Sequence, residues 1–230
     1  MAFPFSVPRG LFRLDGGWGI VRPEADQLPG SCKDFLSAGR WVDCSNQDYG
    51  ITLTLLESPL VEIGAMTNET VGERGVRLWR REVPAGTVCY SYAMNNYWHT
   101  NYAADQKGPA TLHYALFPHG MFNAADAYRR GVEQDQLLLV RRAAGEGLRS
   151  LFTVTSPGVV VTSLQRSADG KALMVRLYAA SGKPEEFSLQ WRGEGPRRVL
   201  VSSSEEGTGA QARWPLALPA YGIVTLRCEE

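Results

Sequence analysis

Hydrophobic and polar positions alternate with a period of two along most of this chain, the pattern of strands that bury one face. In residues 87–94 the alternation sets Val88, Tyr90, Tyr92 and Met94 on one face. In residues 110–117 it turns Leu112, Tyr114 and Leu116 inward. Residues 50–56 repeat the pattern with β-branched Ile51, Thr52 and Thr54, bounded by turn chemistry on both sides.

One segment changes period. Asn123 is placed to cap a helix, with Asp126 three residues on, close to a capping box with Asp in place of Glu. Ala124, Tyr128 and Val132 then form a single apolar stripe, and the helix is expected to fade over residues 134–136. Residues 137–140 read as the next strand.

A second series of short strands follows Gly147. Residues 159–164 and 172–178 flank Asp169-Gly170, a strong hairpin signal, and residues 186–191, 197–201 and 223–227 complete the series. The pattern predicts an all-β chain of antiparallel sandwiches joined by one connecting helix, with a boundary near residue 140. Residues 1–140 make the larger β region and 141–230 the smaller, Ig-like one.

Composition agrees with a folded chain: 44% hydrophobic and 21% charged over 230 residues. Lys+Arg 24 against Asp+Glu 24 gives no net charge, which argues against nucleic acid as a partner. The paired arginines at 80–81, 129–130, 141–142 and 197–198 read as solvated surface charges. No stretch is apolar enough to span a membrane, and residues 1–9 lack the layout of a secretory signal, so a cytoplasmic location is expected. Cys32, Cys44, Cys89 and Cys228 are far apart, form no metal knuckle and are expected as free thiols.

The densest candidate chemistry lies in residues 94–106. Asn95, Asn96, Trp98, His99, Asn101 and Tyr102 mix planar amides with aromatic rings, a set suited to sugar hydroxyls and the apolar face of a pyranose. The same residues also suit a loop whose amides serve its own backbone. A second polar stretch, residues 20–30, offers Arg22, Glu24, Asp26 and Gln27 between Pro23 and Pro29. His99, His113 and His119 fit no metal-binding spacing, and neither Glu24/Asp26 nor Asp43/Asp48 is established as a catalytic pair by spacing. No nucleophile elbow, P-loop or dinucleotide fingerprint is present. These residues assign no catalytic group and no metal ligand.

Several of these stretches carry a resemblance. Residues 3–8, 19–30, 39–50, 58–64 and 94–102 are together similar to the C-terminal β region of glycoside hydrolase family 38 α-mannosidases of the bacterial and archaeal type. The similarity runs along the whole chain and weakens over its last third. It implies a piece of a large β supersandwich followed by a small sandwich. In whole enzymes of that family a barrel carries zinc and the catalytic aspartates, and hydrolysis is retaining. Those positions have no counterpart here, so the resemblance implies a non-catalytic β region that flanks the sugar cleft of a separate zinc-dependent domain, with no cofactor of its own.

The resemblance also implies a link to mannose metabolism and partners for the chain: an α-mannoside, a catalytic domain or subunit of the same enzyme, or a second copy of the chain. Some family members send an arginine from this region into the sugar pocket, and Arg22 matches by position. A stand-alone carbohydrate-binding module and an assembly module are the alternatives. The assembly reading rests on the large β region of whole enzymes starting upstream of the position matching Met1, which predicts unpaired strand edges.

Overall fold

The computed structural model describes residues 1–66, 80–94, 103, 105–136, 140, 142 and 150–229. They divide into two compact units, residues 1–122 with 130–136, and residues 123–129 with 137–230. Among the described residues the structure is β apart from one helix, as the alternation predicts. Among the described residues no helix is long and apolar enough to cross a membrane.

The first unit contains β1 (Ala2–Pro4), β2 (Leu11–Asp15), β3 (Ile20–Val21), β4 (Leu36–Ser37), β5 (Trp41–Ser45), β6 (Gly50–Leu55), β7 (Leu60–Ile63), β8 (Val88–Ser91) and β9 (Tyr114–His119). They form two antiparallel sheets, ordered β3-β2-β5-β6-β9 and β1-β8-β7-β4. The central strand β5 is buried at all five residues, so both of its faces are covered. Its even positions Val42 and Cys44 join Phe12, Leu14, Leu53 and Leu55 in one core with Val61, Ile63 and Cys89 of the other sheet. Its odd positions Trp41, Asp43 and Ser45 point to the opposite face, which matters for the site described below.

Two details of the expected pattern change. In β8 the core takes Cys89 and Ser91, while Val88 and Tyr90 on the alternate face are half-buried and Met94 is 82% exposed. Leu116 shares the inner pleat with its partner Leu53, yet is 52% exposed because β9 is the edge of its sheet. Leu112 precedes the strand altogether. Both changes have one cause: period two fixes which residues share a face, but burial depends on where the strand sits in the sheet.

Arg80 departs further from its expected role. Its side chain is 8% exposed, pairs with Asp34 at 3.2 Å and with Glu62, and donates to the Ala65 carbonyl at 2.9 Å. Glu62, itself 2% exposed, also accepts from the Tyr92 hydroxyl at 3.1 Å. Burial, followed by the nearby Glu62 charge, pushes the Tyr92 phenol up to about 12. A guanidinium is tolerated there because two carboxylates and a carbonyl receive it.

The helix α1 (Ala124–Asp135) starts where expected, with Asn123 Oδ1 accepting from the Asp126 N–H at 3.1 Å. Its residues 124–129 group with the second unit and 130–135 with the first. In the first unit Gly131 lies against Arg40 and Trp41, where a Cβ would come within 2.8 Å of the Arg40 Cβ. In the second unit Tyr128 packs on Tyr178 with ring centroids 5.2 Å apart. Of the expected strand over 137–140, residues 137–139 lie outside the described residues.

The second unit continues with β10 (Phe152–Val154), β11 (Val159–Arg166), β12 (Ala172–Ala179), β13 (Glu185–Phe187), β14 (Leu189–Trp191), β15 (Arg198–Ser202), β16 (Thr208–Gln211), β17 (Leu216–Leu218) and β18 (Ile223–Glu229). One five-stranded antiparallel sheet runs β11-β12-β18-β15-β16, and two small sheets pair β10 with β14 and β13 with β17. Val159, Val175, Leu177, Leu226 and Cys228 of the large sheet share a core with Phe152, Phe187, Leu189 and Leu218 of the small ones. The stretch expected as one strand over 186–191 is therefore two. Ser188 divides them, its N–H and C=O both taken by Thr155.

The Asp169-Gly170 hairpin forms as expected, with Gly170 at φ 70°. Asp169 accepts from the Ser167 hydroxyl at 2.6 Å, the Lys171 N–H at 3.0 Å and the buried Arg227 guanidinium at 2.6 Å. These three bonds, the Ser167 hydroxyl first, hold the Asp169 carboxyl well below the ordinary carboxylate range.

Two outcomes are expected. Leu53→Ala lowers stability by about 2–5 kcal/mol, whereas Leu116→Thr changes it by less than about 0.5 kcal/mol, as read by urea unfolding. Because the native Asp169 carboxyl titrates below its ordinary 3.8, its contribution is present above that pH and lost as pH falls through the native value. NMR titration of the Asp169 carboxyl should show the depressed midpoint, and Arg227→Gln should move it upward.

Candidate functional site

The outer face of the first unit's five-stranded sheet carries a polar row set by register. Arg13 opposes Asp43, Asp43 opposes Thr52, and Ser45 opposes Gly50, which in turn opposes His119. Cross-strand neighbours stand close enough to bond, so a row spread over 107 positions of sequence meets in one cluster.

Asp43 is the centre of that cluster and is fully buried. Its Oδ1 accepts from the Ser45 hydroxyl at 2.6 Å, and its Oδ2 from the Thr52 hydroxyl at 2.9 Å. His119 Nε2 lies 2.7 Å from the same Oδ2, while its Nδ1 lies 2.8 Å from the Gly120 carbonyl. Both ring nitrogens thus lie beside oxygen atoms. Arg13 Nη1 donates to Ser45 Oγ at 2.8 Å and stands 3.7 Å from Asp43, with its guanidinium 4.6 Å above the Phe122 ring. Gly50 makes room for this: a Cβ there would collide with Ser45 and lie 2.8 Å from His119 Cε1.

Beside the cluster opens a cavity of about 440 Å³. Arg13 and Ser45 form its inner wall, with Arg9, Leu11, Gln47 and Asp48 around it. The two connections that shape it are tied together. Asn46 Nδ2 donates to the Pro8 carbonyl at 3.1 Å, and the Tyr49 hydroxyl to the Ser6 carbonyl at 3.0 Å. Asn46 Oδ1 in turn accepts from the N–H groups of Asp48 and Tyr49, a turn of Asx type. Arg9 holds a left-handed backbone at φ 56°, which strains a non-glycine residue by roughly 1 kcal/mol.

The chemistry this arrangement supports is recognition of hydroxyl and amide groups. A glycosidic bond needs two flanking carboxyls, and the cavity wall supplies one, Asp48. Asp43 is sealed behind Ser45 and Thr52. Among the described residues no three His, Cys, Asp or Glu side chains gather as a metal site. Cys44 offers no thiolate either, since burial, with the Asp43 charge adding to it, pushes its thiol up to about 12. All four cysteines are free.

Of the residues singled out for sugar contact, Asn95, Asn96, Trp98, His99, Asn101 and Tyr102 lie outside the described residues. Arg22 is described and is 64% exposed at its side chain. Its guanidinium grips Asp26 with two bonds, Nε to Oδ2 at 3.1 Å and Nη2 to Oδ1 at 2.7 Å, and holds that carboxyl below its ordinary value. Glu24 Oε1 faces the Phe12 N–H at 3.5 Å. His113 is exposed and bonded through Nδ1 to Glu57 at 2.7 Å.

Arg13, Thr52 and His119 are too far apart in sequence to stand out as a group. The signal was present in the alternation of residues 41–45, which places Asp43 opposite to Val42 and Cys44, and in the Asn46-Gln47-Asp48 turn that follows.

The sequence matches no family model and no curated protein. Its fold, however, is found in solved structures. A crystal structure of an α-mannosidase from Enterococcus faecalis V583 superposes with a TM-score of 0.62 at 15% identity, covering 99% of this chain and 25% of that one. A second, of a glycosyl hydrolase family 38 protein from Enterococcus faecalis, gives a TM-score of 0.58 at 14% identity, covering 99% of this chain and 26% of that one. The chain thus has the fold of about a quarter of a family 38 α-mannosidase chain, in line with the resemblance seen in its sequence.

Replacing Asp43 by Asn is expected to lower stability by about 3 kcal/mol, because Arg13 and His119 lose the charge they surround. Urea unfolding of the variant, followed by Trp fluorescence, checks this.

Proposed function

We propose that this chain is an accessory, non-catalytic β region of an α-mannosidase-like glycoside hydrolase, acting beside a zinc-dependent retaining domain that it does not itself contain. The observation that carries this reading is near-complete structural coverage of the chain by a quarter of an α-mannosidase. The site chemistry supports it, since the cavity wall offers one carboxylate where hydrolysis needs two. The chain's role is then to support the fold of the enzyme and to flank its sugar cleft, with Arg22 and residues 95–102 as the family-matched residues on that side. A cytoplasmic enzyme of mannose metabolism is the setting this reading favours.

A second reading, direct carbohydrate binding, is favoured by the cavity beside Asp43. Asp48 and Gln47 offer the acceptors, and Arg9 and Gln47 the donors, that pair with vicinal hydroxyls; Leu11, 57% exposed, offers an apolar contact.

One set of assays separates the two. The chain alone, with or without added zinc, should release no aryl alcohol from an aryl α-mannoside above background; chelator-sensitive turnover would overturn the accessory reading. Calorimetry with methyl α-mannopyranoside then decides on binding: heat that disappears in Asp48→Ala supports a sugar contact at the cavity, and absence of heat excludes it.

A further inference from the structure

The second unit carries a cavity of different character, about 590 Å³, a size in the range of small-molecule pockets. Ala172 and Cys228, both buried, lie at its floor with half-buried Leu173 and Trp191, and Leu151, 54% exposed, stands at its side. Trp191 is fixed in place. Phe152 packs against it with centroids 4.9 Å apart, and Gly195 lies so close that a Cβ would sit 3.3 Å from the indole. The connection from β14 to β15 can settle over the ring because Gly193, at φ 81°, turns it back.

That connection and the end of β11 place charges at the mouth. Arg166, Arg192 and Arg197 face one acid, Glu194. The excess is local, since the whole chain has no net charge. Arg166 is tethered by its Nη1 to the Gly170 carbonyl at 3.4 Å. Arg192 and Arg197 form no side-chain ion pair or hydrogen bond among the described residues. Among the described residues the lining holds no hydroxyl, carboxamide or imidazole side chain, so its polar groups are the charged ones at the mouth. It is also unreactive: burial pushes the Cys228 thiol up to about 12, so no thiolate is offered at neutral pH.

We propose that this cavity binds a small carboxylate with a flat apolar body, the body lying against Trp191 and Leu173 and the carboxylate received by Arg192 and Arg197. A guanidinium matches a carboxylate with two parallel bonds. An inorganic anion would leave the apolar floor uncovered, and a neutral aromatic would leave the arginines without an acceptor. This site is independent of the accessory role proposed above and stands or falls separately from it.

The test uses the 230-residue chain, 2-naphthoate as the probe and the Trp191 indole N–H signal in NMR, assigned by Trp191→Phe. The expected result is a saturable shift with Kd below about 1 mM. 2-Naphthamide should bind at least about tenfold more weakly, as should naphthoate to the Arg192→Gln/Arg197→Gln variant. Both arginines are exposed, so the variant should retain its thermal transition, and Glu194→Gln should tighten binding if charge guides it. No shift up to about 10 mM naphthoate overturns the proposal. Equal binding of the amide reduces the site to an apolar surface, and equal competition by inorganic phosphate reduces it to an anion patch; either result also overturns it.

Discussion

A carboxylate enclosed in a β-sheet has to be met by donors, and the first unit is arranged around that requirement at Asp43. The residue is fully buried on a central strand whose other face supplies the apolar core. Leaving its charge unmet would cost several kcal/mol, more than any single apolar contact nearby returns. Ser45 of its own strand and Thr52 of β6 therefore bring two hydroxyls, and His119 of β9 an imidazole, to hydrogen-bond distance, with the Arg13 guanidinium of β2 just beyond. Gly50 belongs to the same solution, because the imidazole reaches Asp43 through the space a side chain would occupy. The polar outer face and the cavity beside it follow from this cluster.

The second unit meets the same physics differently. Its core residues are apolar, and its buried cation, Arg227, lies at the sheet's end between Asp169 and Glu229, with Arg198 completing the chain of charges. One unit thus places a charge mid-strand and the other keeps it near a turn, where water is close. The difference bears on their cavities: one is walled by a fixed polar network, the other by an aromatic floor with loosely held arginines around it.

Local chemistry made part of this fold legible. The Asp169-Gly170 hairpin, the Asn123 cap and the β-rich alternation all depend on neighbours in sequence, and each is found in place. The short strands β3, β4 and β16 carry too few residues for a period to show, and β16 is exposed along its length. Arg80 read as surface because nothing near it in sequence announces Asp34 and Glu62. The Asp43 cluster was hidden for the same reason: Arg13 and His119 meet it only through strand register, which a single sequence does not reveal. The fold similarity supports the resemblance carried by the sequence motifs.

Ser188 has a bearing on how this unit tolerates evolutionary change. Thr155 clamps both backbone groups of that residue, so the chain leaves one small sheet and enters the other at a fixed point. Side chains alternate strictly on either side of such a point. A single-residue insertion or deletion just after it would invert the facing of Leu189 and Trp191, ejecting the leucine from the core and withdrawing the indole from its pocket. Insertions within the 185–191 segment therefore carry a cost that insertions in the exposed connections between strands do not.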